Sequence, residues 1–480
     1  METAPDYSVR KESMAKSLLK ILRILLIVLL LIVAVNVLEP LFRKGPDPDY
    51  AEEIARMEFE AEGPGGESIL CIDDNEEALL CRLRMIGSAE RSVVLSTFDL
   101  RPDDSGTDVI AALYHAAQRG VQVRILIDGV YQLLYLDGSE LFQAFASHEN
   151  VEVRIYNPVS LENIFRLNYR MHDKYLIIDG EMYLLGGRNT NDIFLGDKKQ
   201  GINIDRDILV RSVPGEKGES LAALEDYFQE IWEEDCVKGK KITHGKDFYT
   251  DQYEILESRY AALKEKYGDM ETYDDWQEAV YPADKITLLT NGTPAQKRSP
   301  LMLQAIAYLA GEGEDILIQT PYAICDDYMY DVLRDIADRA QVQIVLNAVE
   351  RGSNPWGCTD YLNQKDRILD TGVEVFELMN EYAVHTKTVL IDDNLSIVGS
   401  YNLDIRSTYL DTELMLVIDS PELNSHIREI ESAYMEKSKK VLSDGQETEG
   451  SLYRNIPFDR EKEMLYGILR VLIRPIRHLL

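Results

Sequence analysis

Two stretches of this chain repeat one pattern, and no other feature limits its possible folds as strongly. Residues 171 to 189 read MHDKYLIIDGEMYLLGGRN and residues 384 to 402 read VHTKTVLIDDNLSIVGSYN. Each sets Lys at +2, Asp at +7, Gly at +14 and Asn at +17 from a histidine. The two sets are His172, Lys174, Asp179, Gly186 and Asn189, then His385, Lys387, Asp392, Gly399 and Asn402. The duplication extends well beyond the motif. SVVLSTF (92–98) answers DILIQTPY (315–322), GVQVRILIDG (120–129) answers AQVQIVLNAV (340–349), and NVEVRIY (150–156) answers GVEVFEL (372–378). The spacing between copies drops from 222 residues, at 150 and 372, to 213 at the histidines, because the first half alone carries NPVSLENIFRLNYR before its motif.

A half-chain written twice predicts two similar lobes related by a pseudo-twofold. Strands alternating with helices make each lobe an α/β/α layer structure. The expected boundaries are 66–240 for the first lobe, 241–284 for a charged, Tyr-rich connecting segment with a helix over 252–267, and 285–445 for the second lobe.

The motif reads as strand, tight turn, strand. Side chains two apart on extended chain share a face, so each imidazole and its ammonium aim at one point. The glycines allow close backbone approach, and Asn189 and Asn402 offer amide donors. A lone His-x-Lys is ordinarily a polar pair on a solvated face. Two copies with matched offsets, using two of seven histidines, would instead surround one small anion with two imidazoles, two ammoniums and two carboxamides. Those are the parts needed to hold and cleave a phosphodiester. Asp179 and Asp392 complete the repeated set, although Asp-Gly and Asp-Asp are also common hairpin-turn pairs.

Charge narrows the substrate. With 51 basic and 84 acidic residues the net charge is −33, which opposes binding to nucleic acid. No His, Cys or carboxylate cluster has metal-ligand spacing, so neither metal nor cofactor is expected. Five cysteines match no zinc or thioredoxin pattern and read as mostly buried small hydrophobes.

Residues 1–17 form an N-terminal tail, and 18–38 are apolar apart from Lys20, Arg23 and Asn36. About 21 residues at 1.5 Å each span the roughly 30 Å hydrocarbon core of a bilayer. A cleaved signal peptide is the alternative, but no small-x-small site follows the run. Arg10, Lys11, Lys16, Lys20 and Arg23 outnumber Arg43, Lys44 and Arg56 across it, which places the N-terminus in the cytoplasm and the catalytic body outside it. A linker, 39–65, follows. At the other end, 446–480 reads as an amphipathic tail. Met464, Leu465, Ile468, Leu469, Leu472, Ile473 and Ile476 fall on one helical face, with Arg470, Arg474 and Arg477 on the other, an interfacial pattern; a helix docked on the protein core is the alternative, and Pro475 would kink either.

Both motif copies resemble the His-x-Lys-x4-Asp signature of the phospholipase D superfamily, and RMHDKYLIIDGEMYLLGGRN with GSYNLDIRSTYLDTELMLVIDS is most similar to its bacterial cardiolipin synthase branch. The resemblance implies a bilobed fold with both motifs at the lobe interface and no metal. It implies a phosphohistidine on His172, acid/base work by His385, and phosphate contacts from Lys174, Lys387, Asn189, Asn402 and Ser400. It further implies an acid accepting each imidazole's second proton, for which Asp207 (+35 from His172) and Glu413 (+28 from His385) are the candidates. Where relatives have Asn two residues before the second acid, this chain has Asp411. The implied activity is a membrane phosphatidyltransferase joining two phosphatidylglycerols into cardiolipin. The alternatives are a phospholipid hydrolase, a nuclease and an inactive scaffold. Nothing in the sequence sets the oligomeric state. The loops 99–106, 323–330 and 350–361 are the expected walls of an acceptor pocket.

Overall fold

The computed structural model describes residues 7–480 except 62, 64, 197–201, 214–217, 272–279 and 297, with side chains from residue 16. Residues 1–6 of the expected tail and the side chains of Arg10 and Lys11 lie outside the described part.

Among the described residues, two sheets of nine strands repeat one order. Across the first run Tyr281–Pro282, Glu67–Ile72, Asp207–Ser212, Met182–Gly186, Tyr175–Ile178, Ser92–Thr97, Gln122–Asp128, Val151–Tyr156 and Val237–Gly239. Across the second run Lys285–Thr290, Leu414–Asp419, Leu395–Gly399, Thr388–Ile391, Asp315–Gln319, Gln341–Asn347, Glu374–Leu378, Ser438–Val441 and Glu447–Glu449. Strand for strand, Glu67–Ile72 through Val237–Gly239 match Lys285–Thr290 through Ser438–Val441, and the sheets differ only in the edge strand each adds. In each, three neighbouring strands are parallel (Ser92–Thr97 with Gln122–Asp128 and Val151–Tyr156; Asp315–Gln319 with Gln341–Asn347 and Glu374–Leu378). The rest are antiparallel.

Parallel strands are covered on both faces and therefore read as unbroken apolar runs. In the first lobe Leu95, Ile125 and Ile127 pack under the helices Asn75–Ser88 and Asp104–Gln118, while the alternate residues Val94 and Leu126 join a core containing Leu224, Phe228 and the second sheet. The lobes are thus fused through one continuous core. The connecting segment belongs to this packing. Its helix, Thr250–Tyr267, buries Leu256, Tyr260 and Leu263 with the first-lobe helices, and Tyr281–Pro282 pairs with Ser68 and Ile69.

The N-terminal helix runs Tyr7–Leu38 and is long and apolar enough to cross a membrane. Every side chain from Lys16 to Leu31 is exposed, and only its last turns touch the body. There Asn36 Nδ2 donates to Ile164 O (2.8 Å), Leu167 N donates to Asn36 Oδ1 (3.3 Å), and Tyr169 Oη donates to Glu39 (2.7 Å). The residues that seat the helix therefore belong to the insertion NPVSLENIFRLNYR, which accounts for the shorter spacing at the histidines.

The tail packs on the body through part of its basic side. Its helix is Arg460–Leu472. Arg470 donates to Leu362 O (3.0 Å) and Asn363 Oδ1 (3.0 Å), and Arg477 forms a two-pronged pair with Asp360 (2.7 and 3.0 Å). Tyr466 and Ile473 are buried, whereas Met464, Leu465, Ile468, Val471 and Leu472 are exposed. Acceptors on the body, of which Asp360 is buried, engage Arg470 and Arg477, while Arg474 is exposed, so the outward side carries that apolar stripe together with basic groups.

Candidate active site

Two short main-chain pairings stitch the lobes together and place every reactive group. Ala383–Val384 runs parallel to Asn203–Ile204, and His385 N donates to Ile204 O (2.6 Å). On the other side Met171 bridges Thr412, Thr412 N donates to Arg170 O (2.9 Å), and His172 N donates to Thr412 Oγ1 (3.1 Å). Each histidine therefore enters the site one residue past a main-chain pairing with the opposite lobe, beside that lobe's acid.

The carboxylates are consequently crossed between lobes. His172 Nδ1 lies 2.9 and 3.1 Å from the two oxygens of Glu413, and His385 Nδ1 lies 2.7 Å from Asp205 Oδ2. Asp207, the residue expected from spacing, does not serve either imidazole. It is buried against Arg82 (2.9 Å) and Arg188 (3.1 Å). The sheet register explains the difference. Gly186 pairs with Asp207 but its counterpart Gly399 pairs with Met415, so the equivalent of Glu413 is Asp205, two residues before Asp207. A signal was present in the sequence, since Asn203 precedes Asp205 by two as the resemblance requires of such an acid.

Lys174 Nζ donates to the carbonyl of His172, and Lys387 Nζ contacts the ring and carbonyl of His385 and lies 3.5 Å from Asp205. The four groups interact electrostatically: Lys174, Lys387 and His385 all act on His172. Asn189 and Asn402 are buried, and among the described residues neither Oδ1 has a hydrogen-bond partner. Rings that sequence reasoning missed close the walls. Phe98 meets His172 edge-on at 4.8 Å and Phe194 meets His385 at 5.0 Å.

Asp179 and Asp392 are not brought to this point. They follow their histidines by seven residues along extended chain, roughly 20 Å at about 3.3 Å per residue. Each sits at a left-handed turn position (φ 56° and 48°) that Asp tolerates. Asp179 accepts from the N–H groups of Glu90, Arg91 and Ser92, and Asp392 from those of Glu314 and Asp315. They pin the hairpin turn to the neighbouring strand. Ser400 is likewise engaged elsewhere: its Oγ lies 2.5 Å from Glu413 Oε2 and accepts from Leu414 N (3.0 Å).

Electrostatics separate the halves. Burial pushes Glu413 up to about 8 despite Lys174 and Ser400. Burial would also raise Asp205, but Lys387 and His385 outweigh it and hold that carboxyl well below its ordinary range. Burial, reinforced by Lys174, drives His172 well below the usual imidazole value, while burial with Lys387 lowers His385 to about 4. Burial brings Lys174 to about 7 and lowers Lys387 as well. Ammoniums so desolvated gain from a bound anion.

The three loops expected to wall an acceptor pocket divide. Asp99 and Arg101 pair (2.6 Å) near Phe98 and Tyr131. Asp326 instead binds Arg43 (3.1 Å), next to the anchor, and Asp360 binds the tail. Outside the site, Cys71, Asp73 and His426 bring possible metal-ligand atoms within 4.8 Å of one another. Asp73 is already paired with Arg206 (2.9 Å), and burial holds the Cys71 thiol well above its usual value, which disfavours the thiolate a metal needs. No disulfide forms among the described residues.

A family model described as cardiolipin synthase, phospholipase D-like domain matches residues 83–232 and 306–433, which together exceed half the chain and include both histidines. The chain belongs to this family. It is 27% identical over 418 residues to cardiolipin synthase C of Escherichia coli, covering 77% of this chain and 86% of that protein. It is also 24% identical over 413 residues to an uncharacterized protein of Helicobacter pylori, covering 79% and 80%. The crystal structure of a phosphatidylserine synthase from Haemophilus influenzae has the same fold (TM-score 0.62, 14% identity, 90% of this chain and 99% of that one).

Proposed function

We propose that this chain is a membrane-anchored phosphatidyltransferase that joins two phosphatidylglycerols into cardiolipin and glycerol through a phosphohistidine. The observation that carries this reading is the pair of crossed His–carboxyl contacts whose acids differ in charge. A donor phosphate held between Lys174, Lys387, Asn189 and Asn402 would add negative charge beside Lys387. That offsets the repulsion which, after burial, lowers His385, so binding favours its imidazolium. His172 stays neutral beside a protonated Glu413. The Glu413 proton on Oε2 can bond Ser400 Oγ, leaving Oε1 to accept from Nδ1–H and the Nε2 lone pair facing phosphorus.

Nε2 of His172 then attacks, the N–P bond forms, and the P–O bond to glycerol breaks as His385 gives its proton to the departing oxygen. A second headgroup hydroxyl delivers its proton to His385, attacks phosphorus and releases His172. The lysines and carboxamides stabilise the added negative charge of both transition states. The N-terminal helix would keep the intermediate in a surface dense in headgroup alcohols, raising the effective concentration of acceptor over that of water alone.

The full chain reconstituted in phosphatidylglycerol vesicles should yield cardiolipin and glycerol in equal amounts. Phosphatidic acid without cardiolipin, across a range of lipid densities, would make it a hydrolase. Cleavage of single-stranded DNA in place of lipid would make it a nuclease.

A further inference from the structure

The site and the anchor helix share one patch of chain. Tyr169, which holds Glu39 at the base of the helix, precedes His172 by three residues, roughly 10 Å of extended chain. His478 Nε2 of the tail donates to Val37 O on the same helix end (2.5 Å), and Arg406 ties the two surfaces together by donating to Asn168 O (2.6 Å) and Leu480 O (3.0 Å). Both segments that grip the helix carry bare apolar side chains. In the insertion Leu161 is 90% exposed and Val159 and Phe165 are also exposed. On the tail Met464, Leu465, Ile468, Val471 and Leu472 make one stripe at helical spacing. A third exposed pair, Leu133 and Leu134, lies on the short helix Gln132–Leu136. That helix adjoins the site through Tyr131, which packs on Phe98 at 4.5 Å, and Phe98 in turn packs on His172.

We infer that these three segments form an apolar rim that seats the catalytic site directly on the bilayer, so that a lipid headgroup enters without its acyl chains leaving the membrane. Two observations favour a bilayer over a protein partner. The rim is continuous with a helix whose side chains from Lys16 to Leu31 are exposed on every side. The exposed apolar side chains themselves form uncharged stretches on a chain of net charge −33, flanked by Glu162 and Arg166 in the insertion and by Glu461, Glu463, Arg470 and Arg474 on the tail. An acidic body is repelled by an anionic surface, so close contact must come from apolar insertion. An exposed apolar surface of this extent on a water-soluble body requires an occupant.

The test uses the full chain in mixed phosphatidylglycerol and phosphatidylcholine vesicles, with a fluorophore placed in turn at Leu134→Cys, Leu161→Cys and Leu465→Cys and at two control positions on other helices, Ser432→Cys and Glu254→Cys. A nitroxide on the lipid chains just below the headgroups should quench each rim position at least about threefold more than either control, without weakening in high salt. Equal quenching at rim and control would mean the body hangs on a tether away from the surface, and would overturn the inference. So would protection of the rim that scales with protein density rather than lipid, the mark of a second copy. The final arm rests on the proposed lipid activity. The triple variant Leu134→Asp, Leu161→Asp, Ile468→Asp should lose about tenfold on vesicle phosphatidylglycerol and keep its rate on short-chain phosphatidylglycerol in detergent. Equal loss on both would overturn the docking role. An inactive wild type would refute the lipid chemistry while leaving the quenching result to stand.

Discussion

The imidazole of His172 rests on a carboxyl that burial keeps protonated up to about pH 8, whereas that of His385 rests on one that Lys387 keeps ionised. The backbones around them are nearly the same, strand for strand and turn for turn. What differs is small. Glu413 has one methylene more than Asp205 and a hydroxyl, Ser400, against its second oxygen. At the matching position of the other half stands Gly187, where a Cβ would come within 2.3 Å of Asp205 Oδ1. The shorter acid thus fills the space a side chain would need, and its charge is satisfied by Lys387 and His385 rather than by a neutral donor. A duplicated fold supplies two equivalent imidazoles, and the proposed reaction requires them to begin in opposite protonation states. Under that proposal the contrast between Glu413 and Asp205 would separate them once a phosphate is bound.

The sharpest way to break this comparison is to remove each imidazole. His172→Ala and His385→Ala should each lower turnover of phosphatidylglycerol by at least about 10⁴-fold. With a nitrophenyl phosphodiester, whose leaving group needs no proton, His385→Ala should still form the covalent intermediate and His172→Ala should not. Trapped phosphoenzyme in the His172 variant would reverse the roles.

The next test exchanges charge for shape. Asp205→Asn removes a negative charge from behind the proton donor and should cost about 10³-fold in kcat, while Glu413→Gln replaces a neutral acid by a neutral amide and should cost about tenfold. Similar losses from steady-state assays of the two would mean that both acids work ionised.

A smaller effect follows from linkage. Glu413 holds its proton in the folded chain up to about pH 8, while in the unfolded chain it ionises near 4.5, so the native state binds the extra proton between those values and loses stability as pH rises through them. Glu413→Gln has no such dependence. Thermal melts should therefore show the variant gaining on the wild type from about pH 5 to 8, and parallel curves would indicate that Glu413 is ionised in the native state. His385, lowered to about 4, contributes in the opposite sense, with stability lost as pH falls from about 6.5 to 4.

The smallest effect on rate is expected from the two turn aspartates. Asp179→Ala and Asp392→Ala each leave backbone N–H groups without their acceptor and should cost about 1–3 kcal/mol of stability, with kcat per folded molecule changed less than about threefold. A loss comparable to that of the histidines, in protein shown folded by circular dichroism, would return these residues to the chemistry.

The repeated motif predicted two α/β lobes that bring His172, Lys174, His385 and Lys387 together, and the apolar run 18–38 predicted a helix long enough to cross a membrane, because apolar periodicity and matched offsets are local properties of the chain. The motif could not choose between Asp205 and Asp207. Residues two apart on a strand face the same way, so alternation treats them alike, and only the pairing of Gly186 with Asp207 and of Gly399 with Met415 separates them. Nor could it show that each imidazole is served by the other half's acid. That follows from the two parallel stitches, at 203–204 with 383–384 and at 171 with 412, which join residues roughly 200 positions apart. The tail makes a related point: a helical wheel separates its apolar and basic faces, but that Arg470 and Arg477 turn onto the body depended on Asp360, Leu362 and Asn363 offering acceptors there. Periodicity along a chain fixes which side chains share a face. Which of those faces meet, and which proton each carries, is set by contacts between distant segments and by the burial they create.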